Sequence, residues 1–147
     1  MKITLRALIV VLLLTSVSYT GSAQCKGFAK KICKLQLDPY IHDGLYFANI
    51  LTEGEEAELY KTFYSDQEYR IAICGSDDLP AVQFQVIDNN RKILYDNADN
   101  DYAQTWDFKL ESSQQLKIAI KVVAAEGEAG ATPQSGCVSI MFGFMNK

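Results

Sequence analysis

Leu116-Lys117-Ile118-Ala119-Ile120-Lys121-Val122 is the stretch whose reading decides the fold. Leu116, Ile118, Ile120 and Val122 alternate with Lys117, Ala119 and Lys121, so the apolar set falls on one face at a period of two. That period belongs to a strand with one face on a core and the other in water. The same alternation recurs on the N-terminal side. Tyr69, Ile71 and Ile73 share a face, and Val82, Phe84 and Val86 alternate with Gln83 and Gln85. Trp106, Phe108 and Leu110 alternate with Thr105, Asp107 and Lys109. On the C-terminal side Val138, Ile140, Phe142 and Phe144 alternate with Ser139, Met141 and Gly143. Ile93 to Tyr95 forms a short strand after the turn Asp88-Asn89-Asn90. Residues 45–52 and 57–64 read as weaker strands, because Lys61 interrupts the cleaner face of the second. About eight short strands with turn signals between them predict an all-β chain, an antiparallel β-sandwich or jelly roll. The small, polar, Gly-rich connector Ala124 to Gly136 reads as a mobile hairpin loop.

Before residue 45 the pattern differs. Phe28, Ile32 and Leu35 recur at helical spacing, with Lys26, Lys30, Lys31 and Lys34 largely opposite, which predicts a short helical segment over 25–37. Asp38-Pro39 ends it, since a residue before proline is pushed out of the α region. Further upstream, a basic start with Lys2 and Arg6 leads into the apolar run Ala7 to Leu14 and then Gly21-Ser22-Ala23. This is the layout of a secretory signal peptide, so residues 1–23 are expected to be cleaved and 24–147 to form one domain. The apolar run is too short to span a bilayer comfortably. A lipoprotein start at Cys25 is the lesser alternative, because the preceding Gln24 is not small.

Removing 23 of 147 residues takes Lys2 and Arg6 and no acid, leaving 124 residues and moving the formal net charge from -4 to -6. A chain of that size can bury one proper core. Its acidic balance argues against nucleic-acid binding, which needs clustered cations. Cys25, Cys33, Cys74 and Cys137 all fall in the domain, and an even count in an exported chain reads as two disulfides. The intervening lengths of 7, 40 and 62 residues offer neither a zinc nor a redox-type C-x-x-C pair. Were Cys25 and Cys33 both helical, about 12 Å of rise would separate them, whereas a bridge needs Cα atoms within about 7 Å. Either Cys25 frays from the helix, or each of the two pairs with Cys74 or Cys137. Those last two lie on the polar faces of their strands, beside Gly75 and Gly136, where a covering helix could reach them.

Few residues carry chemistry. Asp96-Asn97-Ala98-Asp99-Asn100-Asp101 is the densest set of oxygen donors, making Asp96, Asp99 and Asp101 the calcium candidates. Ala98 at the third position and the absence of a following Gly break the EF-hand pattern, which favours a solvated acidic turn. His42, the only histidine, adjoins Asp43, which could orient it as a base in a small hydrolase. No nucleophile motif accompanies it, so a structural or surface role is the simpler reading. Among the aromatics, Trp106 belongs with the core, whereas Tyr60 and Tyr64 share a face with Glu58 and Thr62 and are candidates for an exposed platform, of a kind that binds sugars. Glu53-Gly54-Glu55-Glu56 reads as a solvated turn.

From Leu51 to Phe144 the chain resembles the bacterial pre-peptidase C-terminal domain, a jelly-roll module of secreted proteins. The resemblance rests on Gly54-Glu55, Leu59-Tyr60-Lys61-Thr62-Phe63, residues 67–73, the strand and turn 82–94, and the closing pair 116–122 and 138–144. Residues 25–33 with Pro39-Tyr40-Ile41-His42-Asp43-Gly44 and residues 59–64 also resemble a set of small exported Gram-negative proteins. This chain differs from the module in having no peptidase attached and in adding the Cys-bearing helix. The resemblance implies a fold and an address but no reaction. Taken together, the sequence predicts a monomeric, exported, non-enzymatic binding or accessory module in the bacterial periplasm or outside the cell. Its partner would be a protein or glycan, with no cofactor, metal centre, nucleic acid or membrane span; a purely structural envelope role is the other alternative.

Overall fold

In the computed structural model, residues 20–145 are described, apart from 126, 128 and 129. Eight strands form two four-stranded antiparallel sheets: β1 (Ile41–Thr52), β2 (Glu56–Phe63), β3 (Glu68–Gly75), β4 (Val82–Ile87), β5 (Ile93–Asp96), β6 (Thr105–Lys109), β7 (Gln114–Val122) and β8 (Ser135–Met145). The first sheet runs β1-β8-β3-β6 and the second β2-β7-β4-β5. Strand one thus pairs with eight, two with seven, three with six and four with five, with successive pairs alternating between sheets. That is the order of a hairpin rolled into an eight-stranded jelly roll.

The alternating residues meet between the sheets. Phe63, Ile71, Phe84, Val86, Leu116, Ile118, Val122, Val138 and Ile140 are fully buried there. Phe63 stands edge-on to Tyr69 and Phe108, each 5.0 Å away, and Trp106 stacks on Phe108 at 4.4 Å and on Tyr95 at 4.8 Å. Such pairs add about 0.5–1.5 kcal/mol each beyond their burial.

The outer face of the first sheet carries a helical layer. Helix α1 spans Thr20–Lys31, and a tighter 3₁₀ turn follows over Cys33–Leu37. The helix thus begins earlier than the 25–37 expected and hands over to the 3₁₀ turn before that segment ends. The signal peptide expected over 1–23 falls mostly on residues outside those described. The buried side of the layer also differs from the sequence reading. Cys25, Ala29, Cys33 and Leu37 face the sheet, while Ile32 is 50% and Leu35 71% exposed. Two disulfides set that face: Cys25 joins Cys137 on β8 and Cys33 joins Cys74 on β3, with Cα separations of 5.2 and 5.6 Å. Once the two cysteines point at the sheet, the residues a turn apart from them must follow, and the bulkier Ile32 and Leu35 are carried outward. The sulfur of Cys25 is thereby committed to Cys137, which leaves none for lipid attachment.

Small residues let the layer sit close. A Cβ at Gly143 of β8 would come within 2.7 Å of the Tyr40 Cβ. Arg70 on β3 fastens the layer's end: its Nε and Nη2 donate to the Asp107 carboxylate at 2.6 and 2.7 Å, and its Nη1 to the carbonyls of Asp38 and Gln36 at 2.7 and 3.2 Å. Its guanidinium also lies 4.6 Å from the Tyr40 ring centre. The paired guanidinium holds the Asp107 carboxyl below its usual range.

Among the described residues, no element covers the outer face of the second sheet. Its charges pair across strands, Lys117 with Glu58 at 3.0 Å and Lys121 with Glu56 at 3.1 Å. The connector between β7 and β8 occupies 123–134, and the Glu53 carboxylate accepts from the amides of Ala125 and Gln134 near its two ends, both at 3.2 Å.

Candidate functional site

The two sheets leave a groove where their edge strands β1 and β2 approach. It begins with an irregularity in β1. His42 lies opposite Gly143 and Tyr46 opposite Met141, so four steps along β1 match two along β8. The surplus residues form a bulge. Gly44 turns it at φ +92°, a conformation that a side chain would strain. Asp43 Oδ1 accepts from the Leu45 amide at 2.9 Å, and His42 Nε2 donates to the Leu45 carbonyl at 3.1 Å. The result is that Leu45 projects outward, 60% exposed.

Lys61 explains itself here. It occupies an inward position of β2, between Leu59 and Phe63, and its ammonium meets Asp43 Oδ2 at 2.5 Å. It also lies 5.0 Å from the Phe142 ring centre and 5.5 Å from that of Phe63. Its side chain is only 12% exposed, so the pair works in a less screened setting than a surface bridge. The pair ties the bulge of one sheet to the edge of the other. Lys61 is thus a cross-sheet clasp, and the strand is regular through it.

Tyr60 on the outward side of β2 and Tyr64 just past the strand's end are 61% and 62% exposed. With Leu45, Phe47 and Leu59 they line an open, mostly apolar groove of about 600 Å³, and Lys61 lies in its wall. Exposed tyrosines and an exposed leucine beside a fixed ion pair make a surface suited to binding. The backbone edge is partly closed to strand addition, because the Ile50 amide donates to Asn49 Oδ1 and the Thr52 amide to Glu55 Oε2, at 3.0 and 2.7 Å.

The other candidates from sequence fall elsewhere. His42 and Asp43 share the bulge, but Asp43 is engaged by Lys61 and the Leu45 amide, and His42 by a carbonyl. The bulge therefore braces Leu45 with the residues that a hydrolase would have needed as a base and its orienting acid. Asp96 caps the 3₁₀ turn Asn97–Asn100, accepting from the Ala98 amide at 2.9 Å. It also takes the side-chain amides of Gln83 at 3.0 Å and Gln85 at 2.6 Å. Burial would raise this carboxyl, but the bonds from Gln85, Gln83 and Ala98 outweigh it and hold the group below its ordinary value. Asp99 and Asp101 are exposed. Among the described residues, no three His, Cys, Asp or Glu side chains are grouped as a metal ion would require. The turn carries a residue that sequence reasoning passed over: Asn97, fully buried, accepts from the Phe84 amide at 2.8 Å and donates to the carbonyls of Val82 and Ala103 at 3.0 and 3.2 Å.

No protein-family model matches the chain, the pre-peptidase C-terminal domain included, and no curated protein matches its sequence. In three dimensions it is similar to Aeromonas hydrophila PliG, a periplasmic lysozyme inhibitor of g-type lysozyme. The two share 15% sequence identity with a TM-score of 0.51, over 69% of this chain and 85% of that one. At that identity the likeness is one of fold. No helix among the described residues is long and apolar enough to cross a membrane.

Proposed function

We propose that this chain is an exported, non-enzymatic module that binds a protein partner through the groove between β1 and β2. The observation that carries the reading is the trio Leu45 on β1, Tyr60 on β2 and Tyr64 just past β2, each more than half exposed, where the Lys61–Asp43 pair locks the two edge strands together. Tyrosine supplies large contact area at low entropic cost, and a preformed groove avoids much of the ordering penalty of association. Two disulfides agree with an oxidising, extracytoplasmic address after removal of residues 1–23. The fold-level likeness to a periplasmic lysozyme inhibitor makes a peptidoglycan hydrolase of the lysozyme class the first partner to test.

The test is calorimetric titration of the purified protein with g-type lysozyme, then with other lysozyme classes. Saturable binding at micromolar affinity or tighter, weakened at least tenfold by Tyr60→Ala with Tyr64→Ala, is the expected outcome. Binding that the two substitutions leave unchanged would remove the groove from the account, and no binding to any class would remove this partner.

A further inference from the structure

A second surface lies on the helical layer, over the outer face of the first sheet. Residues 20–37 contain four lysines and no acid, whereas residues 38–147 hold eight Lys and Arg against eighteen Asp and Glu. The chain is thus electrically two-sided, a plate of +4 on a body of -10. Lys26, Lys30, Lys31 and Lys34 are all exposed, and among the described residues none of them enters an ion pair, unlike Lys61, Arg70, Lys117 and Lys121. Between them Ile32 and Leu35 point outward, 50% and 71% exposed. These are the residues that the disulfides turn away from the sheet. The two bridges and Arg70 hold the whole layer on the protein body, so cations and apolar side chains are presented together.

We infer that this plate docks the protein on an anionic lipid surface. Lysines flanking exposed aliphatic side chains supply the two signals that reversible membrane association needs: attraction to negative headgroups and burial of apolar groups at the headgroup boundary. Charge complementarity favours a lipid sheet over a flexible polyanion. A bilayer meets only the basic plate, whereas a nucleic acid or acidic polysaccharide reaching around the molecule would be repelled by the acidic body.

The test is sedimentation of the purified protein with vesicles of phosphatidylglycerol mixed into phosphatidylcholine, and with phosphatidylcholine alone. Binding is expected only to the anionic vesicles, falling steeply between 50 and 500 mM salt as the attraction is screened. The triple variant Lys30→Glu, Lys31→Glu, Lys34→Glu loses at least about tenfold in binding, and Ile32→Ser with Leu35→Ser loses a smaller part. Non-reducing gels and circular dichroism confirm that both variants keep their bridges and fold. The Tyr60→Ala, Tyr64→Ala variant binds vesicles as the parent does, which separates this surface from the groove. Equal binding by the charge-reversed protein, no binding at low salt, or full competition by soluble polyglutamate with no effect of the two serine substitutions would each overturn the inference.

Discussion

The outer faces of the two sheets solve the same problem by different means. The first sheet is roofed by a short helix and a 3₁₀ turn that could not hold themselves there; two disulfides and one arginine do it. Among the described residues the second sheet has no roof, and its outer side chains satisfy one another, as with Lys117 and Glu58 or Asp96 and the two glutamines. Covering a sheet depends here on two covalent bridges together with a small apolar cluster, Ala29 and Leu37 of the layer packed against Ala72 and Met141 of the sheet. That is why two large apolar residues of the layer are left facing outward.

The difference can be broken most strongly at the bridges. Replacing Cys33 and Cys74 together by Ala is expected to cost about 2–5 kcal/mol in urea unfolding, because the bridge closes a loop spanning 41 positions. The layer should then lose amide protection before the sandwich does. Gly143→Val comes next: the new side chain would meet Tyr40 where even a Cβ has no room, and overpacking of this kind costs about 1–3 kcal/mol. The sandwich core should keep its protection there too, since the clash lies outside it.

Acid sharpens the contrast more gently. Asp107, paired with Arg70 at the edge of the first sheet, and Asp96 on the second sheet both have carboxyls depressed below their ordinary values. Such groups contribute stability that is fully present above the unfolded carboxylate pKa of about 4 and is lost as pH falls through the lower folded value. Thermal midpoints should therefore drop below about pH 4, and Asp96→Asn or Asp107→Asn should flatten that limb while lowering stability at neutral pH. The smallest effect belongs to Lys117→Ala, whose ion pair with Glu58 lies in water; its unfolding midpoint should match the parent's.

The eight strands were legible because a half-buried strand writes its burial directly as alternation, as in Leu116 to Val122. The helical layer was legible as a helix and Phe28 packs inward as expected, but its buried face was half misread, because the apolar rule ranks Ile32 and Leu35 above Cys25 and Ala29. The usable signal was the even spacing of Cys25, Ala29, Cys33 and Leu37, which share one side once the cysteines must reach strands. The groove was half legible. Tyr60 and Tyr64 declared their face, but Lys61 looked like a defect in a strand because its partner, Asp43, sits eighteen residues earlier on the opposite sheet. The bulge that lifts Leu45 depends on a register mismatch between β1 and β8 that local sequence does not encode.

The groove between β1 and β2 is the surface proposed to bind a protein, and the helical layer is not. A quantitative pull-down from periplasmic extract tests it directly, comparing the parent with a Leu45→Asp, Tyr60→Ala, Tyr64→Ala variant and with the Lys30→Glu, Lys31→Glu, Lys34→Glu variant. The parent and the lysine variant should retain the same protein, and the groove variant should lose it. Equal capture by the groove variant, or loss confined to the lysine variant, would contradict it.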